Sequence, residues 1–329
     1  MPKIPDNLIW IVGKGGLLGS SLAQMLSEST ANWATWQPKE AFSWKSKPQL
    51  HFQFSEAIKD FHRESLNYKK WTLAWTAGVG VIGTQESDLT AETYNFNCFT
   101  ELLSQTFKSD LGKGVFFLAS SAGGIWGGTP HFPISETTPS SPISSYGKQK
   151  LAQETLLANL AAMHPQLKVL IGRISNLYGP GQNLTKPQGL LSQLCRSALL
   201  QVPINIFVPL NTVRDYIHSQ DAAELILKAI TKVQQDNYSL QLTTKIFCSE
   251  EDCSISQILS YLHQLTYREP VVSFPENRNS HQQPSELTFR SQVLVDSTRC
   301  RPLINGIHEL LTFLETQLQM GNLPFPEAV

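Results

Sequence analysis

The chain has 329 residues, a formal net charge of −1 and 41% hydrophobic residues, enough for a sizeable core in one large domain or two closely packed ones. No basic run or aromatic-interleaved patch is present, so nucleic acid is not an expected partner. The five cysteines (Cys98, Cys195, Cys248, Cys253 and Cys300) show neither C-x-x-C nor zinc-like spacing, which points to a reducing, cytoplasmic setting and no metal.

Residues 8–12 (L-I-W-I-V) are too short for a signal segment or membrane span and read as a strand buried on both faces of a parallel sheet. Gly13, Gly15, Gly16 and Gly19 follow, and Ser20, Leu22, Ala23, Met25 and Leu26 then carry a helical pattern. Glycines between a strand and a helix let backbone approach a pyrophosphate, whose charge the helix N-terminus favours. About twenty residues on, a second strand should end in Asp or Glu if the cofactor's adenosine ribose carries a free 2′-hydroxyl. The stretch 32–39 (N-W-A-T-W-Q-P-K) has no acid there, and Lys14 in the glycine turn is placed to face a 2′-phosphate. That leans toward NADP rather than NAD. All seven tryptophans fall within the first 126 residues, a hint of two compositional halves.

Further strands are expected at 72–78 and 115–119, separated by a helix at 91–107 with Asn95 in its first turns. Ser120 and Ser121 close the second of these strands, where their hydroxyls suit either a carbonyl-polarising role or a backbone cap. A helix starting near Ser144 and stopping before Pro165 precedes a strand at 169–171. A long excursion then reaches 204–207 and 212–218, and Asp221 is expected to open a helix with Glu224 completing a capping box. Beyond Cys253 come a helix at 256–265, a polar loop at 276–286, a short extended piece at 292–295 and a closing helix at 307–319. Strands alternating with helices predict a doubly wound parallel sheet, with ligands outside the strands' carboxyl ends.

Tyr146 and Lys150 are spaced i, i+4 on the 144–165 helix, so both project from one face. A free phenol gives up its proton only near ~10. An ammonium one turn away favours the phenolate and brings proton transfer to a hydroxyl or carbonyl within range of neutral pH. Asn176 and Arg214 are candidate phosphate ligands, Arg214 through its two-pronged guanidinium, the alternative being a salt bridge to Asp215.

Several motifs thus stand in one order: G-x-x-G-x-x-G from Gly13, T-A-G-V-G-V-I-G from Thr76, Asn95, S-S-A-G-G-I-W-G from Ser120, Y-G-K-Q-K from Tyr146, R-I-S-N-L-Y-G-P-G-Q from Arg173 and R-D-Y-I-H from Arg214. Over residues 8–230 this resembles the extended short-chain dehydrogenase/reductase superfamily, in its NAD-dependent epimerase/dehydratase branch of UDP-galactose 4-epimerase-like proteins. The resemblance implies a Rossmann fold with a smaller C-terminal α/β substrate lobe. The cofactor domain would hold 1–180 plus about 211–247, and the lobe about 181–210 plus 248–329. It implies that Gly13, Lys14, Gly16, Leu17, Leu18, Gly19, Ala77, Gly78 and Asn95 line NADP or NAD. Tyr146 would be the acid/base, and Lys150 its tuner and a ribose ligand. Asn176, Phe207 and Arg214 would hold a nucleotide sugar. It also implies a homodimer paired through the 91–107 helix and the helix carrying Tyr146.

The departures are specific. Trp126 stands where many relatives have the tyrosine of V-Y-G, and Ala122 stands at the place of the Ser or Thr that hydrogen-bonds the reacting oxygen. Ser121 is the nearest replacement. Ala122-Gly123-Gly124 lacks the Thr-Asp-Glu of 4,6-dehydratases, so dehydration is not expected. F-V-P-L-N-T (207–212) replaces the usual G-D-G turn. The expected function is an epimerase or ketoreductase of a nucleotide-activated sugar. The same chemistry on a non-nucleotide carbonyl, or a catalytically silent cofactor-binding scaffold, are the alternatives.

Overall fold

The opening apolar run is strand β1 (Asn7–Val12), and residues 8–12 are each at most 2% exposed, as a strand covered on both faces requires. The computed structural model describes residues 5–28, 32–81, 83–184, 189–275 and 284–322. After β1 come α1 (Leu17–Glu28), β2 (Trp33–Trp36), α2 (Lys47–Ser65), β3 (Lys70–Trp75) and α3 (Glu86–Phe107). A 3-10 turn (Lys108–Lys113) leads to β4 (Gly114–Ser121), α4 (Ala122–Ile125), α5 (Ser145–Met163), β5 (Lys168–Ile174) and β6 (Asn176–Tyr178). The remainder is α6 (Leu190–Leu200), β7 (Ile204–Asn205), β8 (Val213–His218), α7 (Ser219–Val233), β9 (Leu242–Phe247), β10 (Asp252–Ser254), α8 (Ile255–Thr266), β11 (Val272–Ser273), β12 (Glu286–Leu287) and α9 (Leu303–Gln319).

Six strands form one parallel sheet in the order β2-β1-β3-β4-β5-β9. The order reverses between β1 and β3, and at such a switch point the connections diverge and leave a crevice beyond the strand ends. One face packs on α2, α3 and α5 through an aromatic layer that includes Trp10, Phe54, Phe61, Trp71, Trp75 and Phe99. The tryptophan-rich start of the sequence therefore supplies one layer of this core. The other face is covered by α1 and α7. A separate apolar cluster joins α6, α8 and α9 around Leu194, Ile258 and Ile307, beside the short sheet β10-β8-β12 to which β6 adds.

Two long helices, α2 and α6, and the four-residue α4 escape the sequence reading. Helix α2 buries Leu50, Phe54, Ala57, Ile58 and Phe61 at helical spacing, a legible pattern, and α6 buries Leu191, Leu194, Cys195 and Ala198. Helix α3 begins five residues before the expected start, which moves Asn95 into its third turn. Asp221 does not open a capping box. His218 caps α7 by accepting from Gln220 N, Asp221 accepts from Arg301, and Glu224 pairs with Lys228. The piece expected to be extended at 292–295 instead bends at Leu294, whose φ is +50°. Residues 276–283 of the expected polar loop lie outside the described residues.

Candidate active site

The glycine turn after β1 is set by close packing. A Cβ on Gly13, whose φ is +96°, would lie 2.5 Å from the Ala77 nitrogen, and one on Gly19 would lie 2.3 Å from the Gly13 carbonyl oxygen. Only glycine lets the two turns at the ends of β1 and β3 touch. Gly15 has nothing within 4 Å of its missing Cβ, so the outer side of the turn is open. Helix α1 starts at Leu17, and helix geometry leaves its first N–H groups, with those of Leu17 and Leu18, free to face an anion. The turn borders a cleft of about 200 Å³ lined by residues 10–15, 37–38, 40–42 and Trp44. These features fit the pyrophosphate and adenosine of a dinucleotide. Lys14 and Glu40 both line that cleft. An acid absent from the end of β2 thus stands four residues beyond Trp36, on the wall of the cleft. Asn95 is buried and reaches the Trp44 carbonyl at 3.5 Å, bracing the far wall of the cleft. A smaller cleft of about 100 Å³, between α1 and α7, contains none of the expected site residues.

At the ends of β3 and β4 the second group of residues converges. Ser144 caps α5 by accepting from Gly147 N at 3.0 Å, which sets Tyr146 in the first turn and Lys150 one turn later. The Lys150 Nζ lies 5.8 Å from the Tyr146 ring centroid, and the residue is 6% exposed. It donates to Gln153 Oε1 at 3.3 Å and stands 3.8 Å from Glu92 Oε1. Glu92 Oε2 in turn accepts from the Val79 and Gly80 nitrogens, each at 3.1 Å. A Cβ on Gly78 would touch both Glu92 Oε1 (2.8 Å) and Lys150 Nζ (3.5 Å). Tyr146, Lys150, Gly78 and Glu92 therefore form one cluster.

Ser121 caps α4 by accepting from Gly124 N at 3.1 Å, so its own proton is free to be donated. A Cβ on Gly124 would lie 3.2 Å from both Ser121 Oγ and Tyr146 Cε1, which brings that hydroxyl to the edge of the tyrosine. Ser120 has a different fate: it donates to Glu154 Oε1 at 2.5 Å, and Arg173 holds the same carboxylate at 2.7 Å. That buried network underlies the site and takes Ser120 out of consideration for the reacting oxygen. Trp126 donates to the Thr138 carbonyl at 3.0 Å and lies against the Arg173 guanidinium, as a core residue. Ala122 is fully buried.

The expected substrate ligands line neither cleft and lie on β6, on β8 and in the segment between β7 and β8. Asn176 donates to the Asp215 carbonyl at 2.8 Å. Arg214 donates to the carbonyls of Val213 (2.8 Å) and Pro284 (2.9 Å). It does not pair with Asp215, which is buried on the other side of β8 and accepts from Ser175, Ser249 and the Glu250 nitrogen. Burial pushes the Arg214 guanidinium below its ordinary range, and among the described residues no carboxylate neutralises it. Phe207 is 47% exposed. Neither Glu92 nor Glu154 stands out in the sequence. Both were within reach of the spacing rule, since Glu154 continues the Tyr146–Lys150 row by one turn and Glu92 lies one turn before Asn95 on α3.

A family model described as the NAD dependent epimerase/dehydratase family matches residues 9–240. The chain belongs to that family. Members are enzymes that work with a nicotinamide dinucleotide, in keeping with the glycine turn and cleft described above. The chain is similar to a putative UDP-glucose 4-epimerase of Methanocaldococcus jannaschii, at 25% identity over 68% of this chain and 73% of the relative. It is also similar to the dTDP-4-dehydro-6-deoxyglucose reductase of Escherichia coli, at 26% identity over 67% and 72% respectively. Among solved structures, MoeE5 in complex with UDP-glucose and NAD shares the fold, with a TM-score of 0.75, 22% identity and coverage of 95% of this chain and 99% of that one. No helix among the described residues of this family member is long and apolar enough to cross a membrane.

Proposed function

We propose that this chain is an NAD(P)-dependent epimerase or ketoreductase acting at a hydroxyl or keto carbon of a nucleotide-activated sugar. The observation that carries the reading is the near-buried Lys150 ammonium beside the Tyr146 ring at the ends of β3 and β4. Desolvation strengthens its pull on a developing phenolate. When bound, the cofactor supplies the hydride acceptor and donor. The chain's own residues do the rest. Tyr146 takes a proton from the substrate hydroxyl and returns it, and Lys150 stabilises the phenolate form and holds ribose hydroxyls. Ser121 donates to the reacting oxygen in place of the hydroxyl that Ala122 lacks. The glycine turn with Leu17 and Leu18, together with Ala77 and Gly78, would line the dinucleotide.

Arg214, a partly buried cation met among the described residues by neutral carbonyls, is suited to a substrate phosphate, with Asn176 on β6 paired to Tyr216 two residues along β8 and exposed Phe207 offering an apolar face to a base. The lobe built from residues 181–210 and 248–329 would then carry the sugar nucleotide. The names of the M. jannaschii and E. coli relatives, an epimerase and a reductase of nucleotide sugars, support that substrate class. The missing acids at 123–124 weigh against dehydration. A homodimer through α3 and α5 goes with the family resemblance, and the free thiols of all five cysteines support a cytoplasmic setting. Buried Ala122 favours a second reading, a silent cofactor-binding scaffold.

The deciding experiment is calorimetric titration of stripped protein with NADH and NADPH, then with UDP-glucose, followed by assay of Tyr146→Phe. The proposal expects cofactor-dependent binding of the nucleotide sugar and a fall in turnover of about 10²–10⁴-fold in the variant. Unchanged turnover in Tyr146→Phe would falsify the acid/base assignment.

A further inference from the structure

Glu92 has no part in the proton transfer just proposed, yet it contacts both the connection from β3 to α3 and helix α5. Of the residues between β3 and α3, 77–81 and 83–85 lie outside regular structure, so no ladder satisfies their N–H groups. Glu92 Oε2 satisfies two in succession, Val79 and Gly80, at 3.1 Å each. A Cβ on Gly80 would meet that same oxygen at 3.4 Å and Tyr146 Cδ2 at 3.5 Å, so the held turn lies against the tyrosine. The other oxygen, Oε1, is buried, has no hydrogen-bond partner and faces Lys150 Nζ at 3.8 Å, with both side chains largely withdrawn from solvent (7% and 13% exposed). A carboxylate at that distance in a dry site attracts the ammonium and restrains where it points.

We infer that Glu92 is a positioning residue for the nicotinamide half of the cofactor site, holding with one carboxylate both the 78–80 turn and the Lys150 ammonium. This rests on the reading of Tyr146 and Lys150 as the working pair, because the hydride must pass where Tyr146 moves the proton. The adenosine and pyrophosphate half then lies at the glycine turn, which Glu92 does not touch. The inference separates a local role from a general brace. Losing the carboxylate should affect a ligand that reaches the 78–80 turn and leave alone one that stops at the pyrophosphate.

The test compares NADH with ADP, which lacks the nicotinamide riboside, by calorimetric titration of wild type, Glu92→Ala, Glu92→Gln and Lys150→Ala. Glu92→Ala is expected to weaken NADH about tenfold and ADP less than about twofold, the loss of one charge-assisted contact. Glu92→Gln is expected to recover most of that loss, to within about threefold of wild type, because its amide oxygen still accepts from Val79 and Gly80. Equal weakening of both ligands marks a merely structural brace and overturns the inference, as does unchanged NADH binding in Glu92→Ala. If Glu92→Ala does not fold, Glu92→Gln decides: a measurable weakening of NADH within that threefold, with ADP unchanged, supports the role, and weakening of both ligands alike or of neither overturns it. Lys150→Ala tests the reading beneath. NADH weakened with ADP unchanged keeps Tyr146 and Lys150 at the nicotinamide end, whereas unchanged NADH binding brings down that reading and this inference together.

Discussion

Lys14 and Glu40 line the same cleft with opposite charges, and if the adenosine binds there, as proposed, their balance sets the response to a 2′-phosphate. Such a group adds close to two negative charges, which Lys14 attracts and Glu40 repels. Lys14→Ala is therefore expected to weaken NADPH about tenfold more than NADH, and Glu40→Gln to strengthen NADPH while leaving NADH nearly unchanged. Paired titrations with the two cofactors check both signs. If neither variant changes the NADPH to NADH ratio, the ribose is recognised elsewhere. From sequence, Lys14 was visible because it sits inside a motif. Glu40 was not, because it follows Trp36 by a loop whose path only the fold defines.

Helix α5 carries the proposed Tyr146–Lys150 pair, and its seating against α4 depends on one missing side chain. A Cβ on Gly147 would lie 2.0 Å from the Gly124 carbonyl oxygen, which is backbone and cannot swing away. Gly147→Ala should push the start of α5 off α4, at a cost of about 1–3 kcal/mol. Tyr146 is the adjacent residue, and a displacement near 1 Å is expected to lower turnover by roughly tenfold or more, with ADP affinity unchanged. Kinetics beside an ADP titration reads the difference. The Tyr146–Lys150 pair was legible because a helix repeats its face every three to four residues. The contact that seats it joins residues 124 and 147, and no periodicity reports that pairing. Helix α2 shows the converse: its buried row from Leu50 to Phe61 was present in the sequence but diluted by polar neighbours such as Glu56, Lys59 and Asp60.

At the scale of the whole molecule, the two cores meet where β8 runs into α7 and α9 packs beside them. His218 stands at that junction. Its side chain is fully buried, edge-on to Tyr178, with Nε2 4.0 Å from Glu309 Oε2 and Nδ1 accepting from Gln220 N. Burial first, and the nearby Arg301 guanidinium second, lower its pKa to about 4, against the partial pull of Glu309 and Asp221. Between about 4 and the ordinary 6.5, the unfolded chain binds a proton that the folded chain refuses. Stability is therefore fully present above 6.5 and is lost as pH falls toward 4, by on the order of 3 kcal/mol from this group. His218→Asn keeps a cap acceptor without the titration, so its denaturation midpoint should fall less steeply across that window. Parallel slopes in the two proteins would remove His218 from the acid response.

Hydrophobic runs, glycine spacing and the i, i+4 pair depend on neighbours along the chain, and from these the sequence by itself determined the parallel sheet, the dinucleotide turn and the family. Tertiary structure decided what depends on distant residues. Ser120 went to Glu154 while Ser121 capped α4, Arg214 met no carboxylate among the described residues, and Glu92 was brought from α3 to Lys150. Each outcome rests on which polar groups the fold brings within bonding distance, and partners separated by tens of residues meet only when the sheet has closed.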